Sequence, residues 1–320
     1  MKFGKKFIIF IKILSSRIKN MQHKKKQYMT SEQKQPLVSV IVPNYNHARY
    51  LEQRLDSVFG QTYQNFEVII LDDCSTDNSL EVINRYKDNP HLSQIVVNET
   101  NSGSVFKQWD KGINLAKGEL IWIAESDDYC ELNLLEELVK AYLAKPNVVV
   151  AFSSYIMFTD DGYLSRSKKR TTQYFHGGRF VRAWMSQENA IMNASGAIFR
   201  RDAYYKLLSK EHMSYRGSGD WLFWSQIASQ GDVAFVRKNL TYFRLSPKTV
   251  TGQNMQSGLA KEEDLRVQHF INEHYHPSPW QRHMASVMYR KKYIGEVSWV
   301  EQKEIWLFGF LRRHFGILVP

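Results

Sequence analysis

The chain has 320 residues, 43% hydrophobic and 13% aromatic, which supports a substantial core in one large or two small domains and excludes a disordered polypeptide. Its formal charge of +11 would suit a nucleic-acid binder, but ten lysines and arginines lie within residues 1–34 against Glu32 alone. Nine of the eleven net positive charges therefore sit in a leader, whereas nucleic-acid binding would need basic residues spread over the nearly neutral body.

Within the leader, the apolar run at residues 7–11 is broken by Lys12 and is too short to span a membrane. No small-residue cleavage site follows it. The segment reads either as a basic amphipathic stretch on an anionic membrane surface or as a solvated tail. The apolar run at residues 305–311, leading into Arg312 and Arg313, repeats the theme or else caps the core. Cys74 and Cys130 lack any CxxC or Cys/His spacing, so reduced thiols are expected and zinc is not.

From residue 38 the pattern alternates between buried strands and amphipathic helices. Residues 38–42 read as a strand, and 50–59 as a helix with Leu51, Leu55, Val58 and Phe59 on one face. A strand is predicted at 66–71, a helix capped by Asp77 at 79–86, and a strand at 91–97. A helix follows at 105–116, and Gly118 turns the chain into a strand at 120–124. Residues 132–143 form a helix stopped by Pro146, and 148–152 a short strand. This alternation predicts an α/β protein with a mostly parallel, doubly wound sheet. Beyond Ser153, residues 160–178 read as a long polar loop, 197–199 and 233–236 as short strands, and 221–229 as a helix. The organisation expected is a leader over 1–34, an α/β domain over 35–250 and a helical extension over 251–320.

Three strands end in ligand-binding chemistry, at the sheet edge where open α/β proteins hold their ligands. The first ends in Pro43-Asn44-Tyr45-Asn46, where proline is expected to stop the ladder. Tyr45 there offers a ring on which a base can stack, although asparagine and proline also make ordinary turns. The second ends in Asp72-Asp73-Cys74-Ser75-Thr76-Asp77, whose adjacent acids need donors or a ligand. The third ends in Glu125-Ser126-Asp127-Asp128. These hard oxygens suit Mg²⁺ or Mn²⁺ shared with substrate phosphates, or simply favour the following helix. An aromatic, an acid pair and a metal-type cluster together describe a nucleotide diphosphate. Neither GxGxxG nor GxxxxGK[ST] is present, which disfavours a Rossmann dehydrogenase and a P-loop kinase.

These three segments, with the strand Val38-Ser39-Val40-Ile41-Val42, resemble the inverting family-two glycosyltransferases of the GT-A fold over about residues 36–250. The resemblance implies that Tyr45 stacks on the base and that Asp73 contacts base or ribose. Pro43 and Ser126 lie in the same nucleotide-facing motifs. It implies that Asp127 is the metal ligand, with Glu125 and Asp128 as further candidates; Glu125 stands at the usual DxD's first position. Cys74 replaces the usual glycine. Gly219-Asp220-Trp221 resembles the station of the catalytic base, which makes Asp220 the carboxylate that deprotonates an acceptor hydroxyl; an N-cap is the plainer role for such an acid. Asn193, Ser195 and Trp221 are implied on the acceptor side.

The function expected is metal-dependent transfer of a sugar, with inversion, from a nucleotide-diphosphate donor to a hydroxyl of a glycan or lipid-linked acceptor. Gln226 is not followed by the RW of processive relatives, and no run of about 20 apolar residues occurs. The expected location is therefore the cytoplasmic face of the inner membrane, in polysaccharide assembly at the cell envelope. A sugar-nucleotide-activating enzyme would need a Gly- and Lys/Arg-rich phosphate loop, for which Arg49 alone is poor support. A non-catalytic membrane-surface scaffold of the same fold is the other alternative.

Overall fold

The computed structural model describes residues 35–159, 162–163, 171–245 and 258–315, with side chains to residue 309. The first strand, β1 (Val38–Asn44), pairs in parallel with β2 (Phe66–Asp72) on one side and β4 (Leu120–Ile123) on the other, and β2 pairs in parallel with β3 (Leu92–Val97). Between them run α1 (Ala48–Phe59), α2 (Ser79–Asn84) and α3 (Val105–Leu115). Short crossovers of this kind produce parallel neighbours covered on both faces.

Alternation along the strands sorts the core into two layers. Ile41, Ile69 and Ile121 face α3, meeting Phe106, Trp109 and Ile113. Val40, Val68 and Ile70 face the other way, against Leu51 and Leu55 of α1 and Leu134 and Leu138 of α4 (Leu134–Leu143). Gly112 lets α3 lie close to β1, since a Cβ there would fall 2.4 Å from Ile41 Cγ2.

The proline does not end the first strand. Pro43 is paired opposite Leu71, and β1 continues to Asn44. The backbone groups of Ile41 and Pro43 point toward β4, but β4 pairs with β1 only as far as Ile41, so the missing N–H falls where no ladder bond is required.

Beyond β4 come the small strand β5 (Tyr129–Cys130), then β6 (Val148–Thr159), β7 (Gly162–Tyr163), β8 (Gln173–His176), β9 (Ala197–Arg200) and β10 (Asp232–Arg244). The sheet order is β3-β2-β1-β4-β9-β6-β10-β5, with β9 antiparallel to both its neighbours. β6 and β10 are far longer than their apolar cores suggest, because they pair in parallel over a bulged, partly exposed second half. Part of the predicted polar loop is strand: β8 pairs antiparallel with β10. β7 also falls within it, and residues 160–161 and 164–170 of that loop lie outside the described residues, as do residues 1–34.

The later helices are α5 (Gly219–Ala228), α6 (Leu259–Tyr275), α7 (Pro279–Tyr293) and α8 (Trp299–Phe315). Helix α5 is apolar nearly all round, and Trp221, Leu222, Phe223, Trp224 and Ile227 are buried. Among the described residues, no helix is long and apolar enough to cross a membrane.

Candidate active site

The ends of β2, β1 and β4 are adjacent at one edge of the sheet, so their loops form one surface. At the end of β1, the buried Asn44 donates to Asp72 Oδ2 at 2.8 Å and to Ser75 Oγ at 3.2 Å. Asn46, at φ 55°, accepts the Thr76 N–H through Oδ1 at 2.7 Å. Asp77 receives the Ala48 and Ser79 N–H groups on its two oxygens, at 2.9 and 3.0 Å, and so serves the starts of both α1 and α2. These bonds lock the first two loops together. Tyr45 between them is 45% exposed, leaving ring surface for a planar ligand.

Asp73 is buried and heavily engaged. Its Oδ1 accepts from Asn98 Nδ2 at 2.5 Å, the Ser102 N–H at 2.9 Å and Gln108 Nε2 at 2.9 Å, and its Oδ2 accepts from Ser102 Oγ at 2.7 Å. A carboxylate offers about four acceptor positions, and Oδ2 takes only one of these bonds. Cys74, at φ 63°, occupies the left-handed region that glycine tolerates best. This backbone requirement explains the glycine usual at that position without assigning any chemistry to the thiol.

At the end of β4 the acids divide. Glu125 accepts from Trp109 Nε1 at 2.8 Å, and burial, then the neighbouring Asp127 charge, push its carboxyl up to about 8. Asp128 accepts the Arg244 N–H at 3.0 Å and is pushed up to about 7 by burial and then by Asp127. The side chain of Asp127 is partly exposed and has no hydrogen-bond partner among the described residues, while its carbonyl accepts from Arg244 Nε at 2.9 Å. Ser126 is buried, its Oγ 2.8 Å from His47 Nδ1, which ties this loop to the first one.

Among the described residues, no group of three His, Cys, Asp or Glu side chains is arranged to hold a metal by itself. The donor chemistry nevertheless fits a hard divalent cation. Three carboxylates lie within four residues, burial and then the Asp127 charge raise the proton affinity of two of them, and Asp127 remains available to an ion that completes its shell with phosphates.

Asp220 lies in the first turn of α5 and is not its N-cap; that residue is Ser218, whose side chain makes no cap bond. Asp220 Oδ1 accepts the Trp221 N–H at 2.7 Å, and Oδ2 accepts from Asn189 Nδ2 at 2.8 Å. Burial pushes its carboxyl up to about 7. Asn189 begins the segment that reaches back to the acid cluster, where Ser195 Oγ accepts the Glu125 N–H at 3.1 Å.

The three residues expected on the acceptor side are enclosed to different degrees. Ser195 has no exposed surface, and its carbonyl accepts from Trp122 Nε1 at 2.8 Å. Trp221 is buried in the core, its Nε1 donating to the Met185 carbonyl at 2.7 Å, so its ring offers no face to a ligand. Asn193 lines a cavity of about 290 Å³ together with Ser153, Tyr155, Met157, Met192 and Phe235.

Four residues escaped the sequence reading. Arg54 is fully buried, donates from Nε to the Glu125 carbonyl at 2.8 Å and lowers the proton affinity of Glu125 and Asp128. Its signal was its spacing: it falls on the same α1 face as Leu51, Leu55 and Val58. Trp109 lies on the buried face of α3, where an indole N–H needs an acceptor. Arg244, stacked over Tyr50 and Phe158 at the end of β10, and Asn189 had no local signal.

The model of glycosyl transferase family 2 matches residues 39–208, more than half of the chain. The chain belongs to glycosyl transferase family 2. Glycosyltransferase GlyG of Streptococcus pneumoniae is 37% identical over 126 residues, covering 39% of this chain and 42% of GlyG. The poly(ribitol-phosphate) beta-N-acetylglucosaminyltransferase TarS of Staphylococcus aureus is 38% identical over 103 residues, 31% of this chain and 18% of TarS. The crystal structure of TarS 1–349 with UDP-GlcNAc superposes with a TM-score of 0.64 at 19% identity, covering 88% of this chain and 81% of that one. Mannosyltransferase PcManGT of Pyrobaculum calidifontis, in complex with GDP-Man and Mn²⁺, gives 0.52 at 17% identity over 92% and 87% of the two chains. Both likenesses show the GT-A fold of this family-2 chain. The chain spans half or less of the length of the first curated relatives it matches. The family match ends before Asp220.

Proposed function

We propose that this family-2 chain transfers a sugar from a nucleotide-diphosphate donor to a hydroxyl of a glycan or lipid-linked acceptor, in a single displacement that inverts the anomeric carbon. One observation carries the reading. The exposed ring of Tyr45, the acid pair at Asp72 and Asp73, and the available carboxylate of Asp127 stand at the same edge of three adjacent parallel strands. The nucleotide-sugars in the related TarS and PcManGT structures support the donor class, and TarS, a poly(ribitol-phosphate) beta-N-acetylglucosaminyltransferase, supports a hydroxyl-bearing polymer as the acceptor.

In this reading Tyr45 stacks on the base, and Asp73 uses its spare Oδ2 position for the nucleoside. Pro43 and Ser126 shape the walls. Asp127 would hold Mg²⁺ or Mn²⁺ with the diphosphate, and the ion would neutralise the charge that leaves with it. Glu125 and Asp128 sit behind Asp127, pinned by Trp109 and Arg244. The acceptor occupies the cavity beside Asn193. Its hydroxyl oxygen bonds to the anomeric carbon, the bond from that carbon to the phosphate oxygen breaks, and the hydroxyl proton passes to Asp220. Asn189 holds the receiving carboxylate by its Oδ2. Enclosure gives Asp220 enough proton affinity to act as a base near neutral pH.

The test is thermal unfolding with UDP, GDP, dTDP and CMP, each with and without Mn²⁺, run beside a transfer assay. One diphosphate should stabilise the protein in a metal-dependent way, Asp127→Ala should lose that shift, and Asp220→Asn should keep it while losing transfer. Folded protein that responds to no nucleotide would favour the scaffold reading. Retained transfer in Asp220→Asn would remove the base assignment.

A further inference from the structure

Ser218, the N-cap residue of α5, makes no side-chain cap bond, and its Oγ donates instead to Asp264 Oδ1 at 2.6 Å. The backbone leading into the helix is held instead from α6. Glu263, 3% exposed, accepts the Arg216 N–H on Oε1 at 2.7 Å and the Gly217 and Ser218 N–H groups on Oε2, each at 2.8 Å. Three consecutive amides on one buried carboxylate are charge-assisted bonds, stronger than an ordinary hydroxyl cap. They fix the orientation of three peptide planes at once. The adjacent Asp264 is held from α7, accepting from Lys292 Nζ at 2.7 Å and Tyr293 OH at 2.6 Å. The chain of contacts therefore runs from α7 through α6 to the loop, and Asp220 is two residues beyond the last amide held.

We propose that Glu263 and Asp264 are positioning residues for the carboxylate of Asp220, so that the C-terminal helices form part of the transfer machinery. This rests on the reading of Asp220 as the base. A ligand-facing carboxylate on the first turn of a helix is only as well placed as the loop that starts the helix. A displacement of about 1 Å can cost roughly 100-fold in rate. The groups facing Asp220 are Asn189, the Trp221 N–H, Asp264 and Lys292, and a shift of the loop changes its distance to all four.

Glu263→Gln tests the idea at constant shape. An amide supplies one acceptor oxygen and turns an NH₂ group toward backbone donors, so at least one of the three bonds is lost. The expected result is a fall in kcat of about 10- to 100-fold, with donor KM and the nucleotide-induced thermal shift unchanged. The acid limb of the kcat profile should also move to lower pH as Asp220 gains solvent. Ser218→Ala, which removes only the Asp264 bond, should move both readouts the same way by less, and it serves if Glu263→Gln does not fold. Wild-type kcat and acid limb in folded protein would overturn the inference. So would a loss of activity that only tracks the unfolded fraction, with the acid limb unmoved. Asp220→Asn separates the two readings: if it retains transfer, the base assignment fails and this inference with it. If it is inactive while Glu263→Gln and Ser218→Ala behave as wild type, only the positioning role fails.

Discussion

Burial raises the proton affinity of Asp220 until its carboxyl titrates near pH 7, and this has two consequences of opposite sign. For turnover the ionised form is the active one, so kcat should rise with pH through about 7 and fall roughly tenfold for each unit below it. For stability the protonated form is favoured by the fold. Between the ordinary value of 3.8 and about 7, the native state keeps a proton that the unfolded chain has lost. Stability contributed by this group therefore falls as pH rises through that window and is flat above it. Urea unfolding at pH 5 and pH 8, paired with a kcat profile, checks both, and Asp220→Asn should remove this group's share of the stability slope. Single residues were also where the sequence was least explicit. Tyr45, Asp73 and Asp127 could be singled out because a motif at a strand end carries its own chemistry. Asn189, Arg244 and the orienting role of Trp109 could not, because each acts on an acid 16 or more positions away, across the fold.

Elements were easier to read wherever burial alone determines them. Strands β1, β2 and β4 and helices α1 and α3 follow directly from apolar periodicity, since each turns one face or two to a dry core. Composition misleads where pairing overrides it: β6 and β10 run on through Ser153, Ser154 and Asn239 because each strand supplies the other's hydrogen bonds. Helix α5 belongs to a third kind, an element whose start is set by contact. A Cβ on Gly219 would lie 2.6 Å from the His212 carbonyl oxygen and 2.6 Å from Phe106 Cε2. The carbonyl is backbone and cannot swing aside, so Gly219→Ala must shift the first turn of α5. The expected cost is about 1–3 kcal/mol, a fall in Tm of about 2–4 °C for each kcal/mol. Because Asp220 is the next residue, kcat should drop by more than the stability loss explains. The nucleotide-induced thermal shift should be unaffected, because Tyr45, Asp73 and Asp127 stand on other loops. Thermal unfolding and kcat measured on the same preparation would show whether the two effects separate.

At the scale of the whole molecule the dominant feature is the asymmetry of charge and apolar surface. Nine of eleven net positive charges fall in residues 1–34. At the other end, α8 exposes Trp299 at 71%, Val300 at 58% and Leu307 at 51%. An anionic bilayer attracts each nearby Lys or Arg by about 1 kcal/mol, and tryptophan is favoured at its interface. Ten basic residues within positions 1–34 are the charges on which such an attraction would act. We therefore predict that the full chain floats with vesicles containing about a third anionic lipid at 0.15 M salt, where charges act over roughly 8 Å. It should be released at 1 M salt, where they act over about 3 Å. A chain lacking residues 1–30 should lose most of this binding and keep its nucleotide-induced thermal shift, because no residue of the sheet edge is removed. Equal flotation with neutral vesicles would assign the attraction to the apolar face of α8 instead, since only an electrostatic contact depends on both lipid charge and salt.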